Sequence, residues 1–286
     1  MKIFKGLSGE IEIIYSQFIK NNILMNSILK DTIKAVKNAG KIISSFYLSE
    51  YEVNQKGKGN PVTEVDLLTD SYLKKYFTER YPDYGWLSEE TRDSKERLNK
   101  DRVWVVDPLD GTKEFIEGVP NFAVSIALIE YRKPILGVIY NPITKDLYTA
   151  IKGLGMKFND KKSTICQKNN LIELNILNSR SETKKGLWEP YKSEFKELVP
   201  FGSIALKLAM VAANQGDFVG SLQPKNEWDI CAGHCLINEA GGKLLSTESK
   251  EIIYNKKNTL TRPGLVAGNQ IVVDKFLELS KINKFK

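Results

Sequence analysis

One stretch constrains this chain more than any other: "RVWVVDPLDGT", residues 102 to 112. Its first part reads as a buried β-strand, and the strand runs directly into Asp107, Asp110 and Thr112. Pro108 and Gly111 bend the backbone between and after the two carboxylates, so their side chains can converge and the Leu109 carbonyl turns inward. Carboxylates that converge without an Arg or Lys repel one another strongly where water is excluded. A divalent cation removes that repulsion, and an all-oxygen ligand set favours Mg²⁺ or Mn²⁺ over zinc. The Gly111-Thr112 step opens a short helix whose free N–H groups suit an anion. Metal ions beside an anion site describe metal-assisted phosphoryl chemistry. Taken alone, Asp-x-x-Asp-Gly is equally a solvated turn.

Other acidic residues fall at similar junctions. Glu89 and Glu90 end "GWLSEE", Asp66 begins a helix in "PVTEVDL", and Asp229 opens another after "PKNEW". An ordinary N-cap is the commoner role for Asp at a helix start. Their joint arrangement, not any one residue, points to a metal centre.

The rest of the chain divides into two halves of different character. In the first, Leu29, Ile33, Val36, Ile43 and Tyr47 share one helical face, and a second helix spans about 67 to 80, ended by Pro82 and Gly85. Residues 122 to 151 read as consecutive strands turning at Lys133-Pro134 and Asn141-Pro142. Beyond a boundary near 155 to 170, strands and helices alternate. "SIALKLAMVAANQG" is a helix with Ser203 as N-cap and Gly216 as its stop, and "WDICAGHCLINEAGG" is another. The expected class is α/β, with an α+β domain over 25–160 carrying the metal-binding loops. An α/β domain over 161–286 supplies Asp229 and substrate contacts. Residues 1–24 form an N-terminal extension of open role, and Met25 is an alternative start.

Several functions are excluded or lowered. With 286 residues and 42% hydrophobic content the chain can bury one large core or two smaller ones, yet it has no apolar window of about 18 residues to span a membrane. Lys5, Glu10 and Glu12 interrupt the N-terminus, unlike a secretory signal, so a cytoplasmic location is expected, with peripheral membrane association left open. The three cysteines make no disulfide framework. A net charge of +7 suits small anionic substrates, but the lysines are scattered and no basic stripe with aromatics marks a nucleic-acid binder. Cys231, His234 and Cys235 lie on one helix face without a fourth ligand, a poor zinc signature. No G-x-S-x-G elbow accompanies the single histidine, which argues against a serine hydrolase.

"PVTEVD", "SEE", "WVVDPLDGT" and "WDICAG" occur in the order and spacing of the inositol-monophosphatase superfamily, the lithium-sensitive, Mg²⁺-dependent phosphatases. The chain resembles that superfamily from about Met25 to its last helix. The resemblance implies a layered α-β-α-β-α sandwich of the lithium-sensitive sugar-phosphatase type. It also implies two or three Mg²⁺ ions, Mn²⁺ as a substitute, and inhibition by Li⁺. Glu89, Asp107 and the Leu109 carbonyl would form one metal site; Asp107, Asp110 and Asp229 would form a second. Thr112 and Asp66 would orient and deprotonate the attacking water, with Glu89 as a further catalytic carboxylate. The Gly111 and Thr112 N–H groups would hold phosphate oxygens. Hydrolysis would be in-line, with no covalent intermediate, in a monomer or a homodimer.

Within the superfamily, "DPLDGTKEF", "NSRSE", "GSIALKL" and "WDICAGH" are similar to the 3′(2′),5′-bisphosphate nucleotidases, where inositol-directed members more often carry Ile at the place of Leu109. That similarity implies removal of the 3′-phosphate of adenosine 3′,5′-bisphosphate, a by-product of sulfate activation. Arg180, Ser203 and Lys207 would then lie near the nucleotide, beside Glu89, Leu109, Asp110, Gly111, Thr112 and Asp229 at the phosphate. Arg180 is equally a surface loop residue, Ser203 only an N-cap, and Lys207 a solvated lysine. Inositol monophosphate and fructose 1,6-bisphosphate are the alternative substrates of the same site. A non-catalytic binder of phosphate-bearing ligands is the rival from another class, disfavoured by the intact Asp66–Thr112 pair.

Overall fold

The computed structural model describes the backbone of residues 2–57 and 60–283, and side chains at 17, 19–57 and 61–281. The chain opens with α1 (Lys2–Phe46), the hairpin β1 (Val53–Gly57) and β2 (Asn60–Thr63), and α2 (Glu64–Arg80). A seven-stranded sheet follows: β3 (Gly85–Ser88), β4 (Arg102–Asp110), β5 (Ala123–Glu130), β6 (Lys133–Tyr140), β7 (Leu147–Ile151), β8 (Gly155–Phe158) and β9 (Lys161–Ser163). The short α3 (Thr112–Ile116) interrupts it after β4.

The second half adds β10 (Asn175–Ser179), α4 (Arg180–Lys184), β11 (Glu197–Phe201), α5 (Ile204–Ala212) and β12 (Phe218–Ser221). It continues with β13 (Lys225–Asn226), α6 (Glu227–Glu239), β14 (Lys243–Ser246), β15 (Leu260–Thr261), β16 (Leu265–Gly268) and α7 (Gln270–Asn283). Five of these strands form a sheet in the order β11-β10-β12-β16-β14, while β13 and β15 pair separately.

Alternation along the strands builds the layers. On β4, Trp104 and Val106 face α1 and α2, where they meet Val36, Ala39, Ile43 and Phe77. Val103 and Val105 face the other way, into a core shared with α5, α6 and the inner face of the five-stranded sheet at Leu177, Val219 and Ala267. That sheet's outer face, through Ile176, Phe218 and Val266, packs on Trp188 and on Val272, Val273 and Phe276 of α7. The result is the layered α-β-α-β-α sandwich. A strand buried on both faces needs the near-continuous apolar run that β4 has.

The first sheet ends at Ser163 and the second begins at Asn175, and both pack on the layer formed by α5 and α6. The expected extension over 1–24 falls largely outside the described side chains; its backbone continues α1, and Ile19, Ile23 and Leu24 are exposed. No helix among the described residues is long and apolar enough to cross a membrane.

Local boundaries differ from expectation for identifiable reasons. α2 starts at Glu64, because the Thr63 side chain caps it. The hairpin between β5 and β6 turns at Tyr131-Arg132, both with positive φ, and Lys133-Pro134 already belongs to β6. α5 ends at Ala212, before Gly216. Asp66 and Asp229 are not N-caps: each sits three residues inside its helix, and Thr63 and Asn226 are the caps.

Candidate active site

Strand pairing brings the acidic residues together. β3 and β4 are the parallel pair of an otherwise antiparallel sheet, with Ser88 opposite Val106. The next residues, Glu89 just past the end of β3 and Asp107 still on β4 opposite Ser125, therefore stand side by side, tied by the Glu89 N–H donating to the Val106 carbonyl at 3.3 Å. α6 packs across β4, β5 and β6 and delivers Asp229 in its first turn. Carboxylate oxygens of Glu89, Asp107 and Asp229 all lie within 4.8 Å of one another.

The pairing of β4 with β5 slips between Asp107 and Asp110, which bulges Pro108 and Leu109 out of register. Such a bulge re-aims side chains at a strand end. The Leu109 N–H donates to Asp107 Oδ1 at 3.1 Å, closing the loop on itself. Gly111 follows with φ +104°, and a Cβ there would stand 2.9 Å from the Asn121 carbonyl, so glycine is required.

Asp110 is turned away from that cluster on one side. Its Oδ2 accepts from the Ser203 hydroxyl and from the Ala205 N–H, both at 2.6 Å. Ser203 also caps α5, accepting from Leu206 N–H, and pays with a strained positive φ of 43°. Lys207, expected either near the nucleotide or as a solvated lysine, is buried at 3% exposure, and its Nζ donates to the Phe201 and Gly202 carbonyls.

Thr112 Oγ1 is 2.9 Å from Asp66 Oδ1 and 3.2 Å from the Leu109 carbonyl, sharing one proton between them. The other Asp66 oxygen accepts from the Thr63 N–H at 2.7 Å and hydroxyl at 2.5 Å. Asp66 and Asp229 thus close capping boxes while their carboxylates also serve the site, Asp229 Oδ2 accepting from the Asn226 N–H at 2.8 Å.

The electrostatics follow from burial. Asp107 lies well above the usual carboxylate range because it is desolvated and faces Glu89, Asp110 and Asp229. Burial likewise lifts Asp229 to about 8 and Asp110 to about 6, the latter despite the Ser203 and Ala205 hydrogen bonds. Asp66 is raised too, burial outweighing the donors from Thr63 and Thr112. Lys207 is depressed to about 8 by burial.

A cleft of about 320 Å³ opens above these groups. Glu89, Leu109, Asp110, Gly111, Thr112 and Asp229 line it, as do Arg180, Ser203 and Lys207. The structure thus brings every residue expected to touch substrate to one cleft, while Asp66 and Asp107 stand behind its wall. Arg180 is engaged within it: its guanidinium contacts Glu114 at 3.0 Å and Glu117 at 2.7 Å.

Four contributors were not read from the sequence. Lys56 on β1 bonds Glu89 at 2.8 Å and Glu90 at 2.5 Å, against the acidic cluster. Asp70 accepts from the Ser88 and Thr91 hydroxyls, each at 2.5 Å, and so braces both sides of the Glu89-Glu90 pair. Lys113 and Lys225 line the cleft with no ion pair among the described residues. A single lysine on a short strand or helical turn carries no periodic signal, so nothing in the sequence marked these positions.

Buried carboxylates set against basic groups at the rim of a five-layer sandwich define a class, the metal-dependent phosphatases. The chain belongs to the inositol monophosphatase family, whose pattern it matches over residues 24–281. Among its relatives, inositol monophosphatase 3 of Solanum lycopersicum is 30% identical, over 86% of this chain and 93% of that one. Nus factor SuhB of Haemophilus influenzae is 32% identical over 85% and 93%. The 3′(2′),5′-bisphosphate nucleotidase CysQ of Shigella flexneri is 33% identical over 82% and 97%. The crystal structure of the suhB protein of Bartonella henselae superposes with a TM-score of 0.78 at 30% identity, covering 88% of this chain and 97% of that one.

Proposed function

We propose that the protein is a Mg²⁺-dependent phosphomonoester hydrolase that removes the 3′-phosphate of adenosine 3′,5′-bisphosphate by direct attack of water. The observation that carries this reading is the meeting of Glu89, Asp107 and Asp229 beside the Thr112–Asp66 pair. Buried carboxylates that repel one another fit a hard divalent cation, with Asp110 and the Leu109 carbonyl as further ligands. Two or three Mg²⁺ ions are proposed, with Mn²⁺ as a substitute and Li⁺ as an inhibitor. When bound, such a cation offsets phosphate charge and acidifies water.

The chain's own groups do the rest. Thr112 already directs its proton at Asp66, so its oxygen is free to accept one from an attacking water. Asp66, lifted by burial, is the better base for it. The Gly111 and Thr112 N–H groups, at the start of α3, suit the phosphate oxygens. Ser203, the hydroxyl nearest Asp110, is spent on that carboxylate, which favours water over a covalent route.

The relatives' names divide among inositol phosphatases, SuhB and CysQ at similar identity, so the substrate rests on the cleft. Lys225 and Lys113 have no ion-pair partner among the described residues and suit a second anionic group, as the bisphosphate provides. Arg180 and Lys207 were expected in that role, and both are already held by protein groups. Inositol 1-phosphate is the second reading, favoured by Glu114, a carboxylate on the cleft wall that can accept from ligand hydroxyls.

Phosphate release with Mg²⁺ from adenosine 3′,5′-bisphosphate, inositol 1-phosphate and fructose 1,6-bisphosphate, measured side by side, tests this. The bisphosphate nucleotide should give the highest kcat/KM, and Asp110→Asn should abolish turnover on all three. Preference for the inositol ester would overturn the substrate alone; an active Asp110→Asn would overturn the metal assignment.

A further inference from the structure

A second cavity, of about 260 Å³, lies along the C-terminal half of α6 and shares no residue with the cleft. His234, Lys133, Lys152, Lys243 and two glutamates line it. His234 is 8% exposed, and its Nδ1 stands 2.8 Å from the hydroxyl of the fully buried Tyr254. That hydroxyl has no other partner among the described residues, so its one proton must go to Nδ1 to be satisfied. The imidazole is neutral, because burial and then Lys243 push it down to about 4. A neutral ring accepting at Nδ1 carries its proton at Nε2, and Nε2 has no hydrogen-bond partner among the described residues. His234 lines the cavity, so the unpaired N–H donor of its ring is on hand there.

The charges around it are not balanced. Both Glu239 oxygens are taken by backbone donors, the Gly153 and Gly155 N–H groups, each at 2.9 Å. Glu251 lies 4.0 Å from the Lys243 ammonium. Lys133 and Lys152 have no acidic partner among the described residues.

We propose that this cavity is an oxyanion-binding site, taking a carboxylate or phosphate group through His234 Nε2–H and the ammonium groups of Lys133 and Lys152. It does not depend on which phosphate ester the cleft hydrolyses. Asp229 and His234 are five residues apart on one helix, about 7.5 Å along its axis. An occupant of the cavity would thus press on the same rigid element that carries a cleft carboxylate.

His234 is the single histidine of the sequence, so its ring reports this cavity without ambiguity in an untagged chain. Nitrogen NMR of the histidine-labelled full-length protein should show the Nε2–H tautomer at neutral pH. At constant ionic strength, inorganic phosphate or citrate should shift that signal saturably; a response to one and not the other identifies the preferred oxyanion. Lys133→Gln with Lys152→Gln should weaken the response about tenfold while leaving kcat unchanged. An Nδ1–H tautomer, no saturable shift with either probe, or equal affinity in the double variant would each overturn the proposal.

Discussion

The cleft is built from two regions that contribute opposite chemistry. The first half supplies its floor: Glu89, Asp107 and Asp110 at strand ends, with Asp66 and Thr112 at helix starts. The second half supplies most of its wall: Arg180, Ser203, Lys207 and Lys225, held on α4, α5 and β13. Only Asp229 crosses over, carried to the acidic floor by α6. Strand ends in a sheet buried on both faces are rigid, and they suit groups whose spacing sets a rate. Short helices and loops at the rim suit groups that choose a ligand.

That division makes floor substitutions act on kcat and wall substitutions on KM. Thr112→Ala should lower kcat roughly 10²- to 10³-fold with KM little changed, since it removes the link to Asp66. Combined with Asp66→Asn it should cost little more if the two act as one relay, as proposed. Steady-state kinetics on the single and double variants check this, and additive losses would break the relay.

Lys225→Gln should raise KM for a bisphosphate about tenfold, leave kcat unaltered and spare a monophosphate substrate. An equal effect on both substrates would place Lys225 at the scissile phosphate and blur the comparison.

The smallest effect is on stability. Asp229 is raised from 3.8 to about 8 and Glu90 from 4.5 to about 7, each mainly by burial. A carboxyl with a raised folded pKa favours folding while protonated, and that contribution fades as pH climbs through the folded value. The metal-free protein should therefore lose melting temperature between about pH 4 and pH 8. Mg²⁺ should flatten that decline, which thermal unfolding with and without the ion can read. A metal-free melting temperature that rises across this range would show that the floor is not under repulsion.

The floor was legible in the sequence through local rules; of the wall, Arg180, Ser203 and Lys207 were expected through the resemblance alone, and Lys225 was not expected. An apolar run, a proline and a glycine around Asp107 and Asp110 specify a buried strand and a tight bend through local rules alone. Apolar runs separated by turn signals likewise predicted β5 to β7 as consecutive strands, because neighbours in sequence are neighbours in the sheet. The second sheet's order, β11-β10-β12-β16-β14, brings distant segments together, and no local pattern states it. Arg180 reaches Glu114 across 66 positions of sequence, and Ser203 reaches Asp110 across 93. A solvated Lys207 was one of the two expectations, because a lysine on a helix usually is solvated, yet α5 is buried nearly all round. The Asp66 and Asp229 helix starts were placed correctly to within a turn, but their dual duty was not visible. A capping carboxylate and a cleft carboxylate look the same in one dimension.

That dual duty bears on how such a chain can age. A lineage that stopped hydrolysing phosphate esters would still need something to accept the Thr63 and Asn226 amides. Selection for folding alone would keep aspartate at 66 and 229 long after the reaction was lost. Glu89 has no such second role among the described residues, where its carboxylate bonds only Lys56. Its loss, more than theirs, would be the early sign that a descendant had fallen silent.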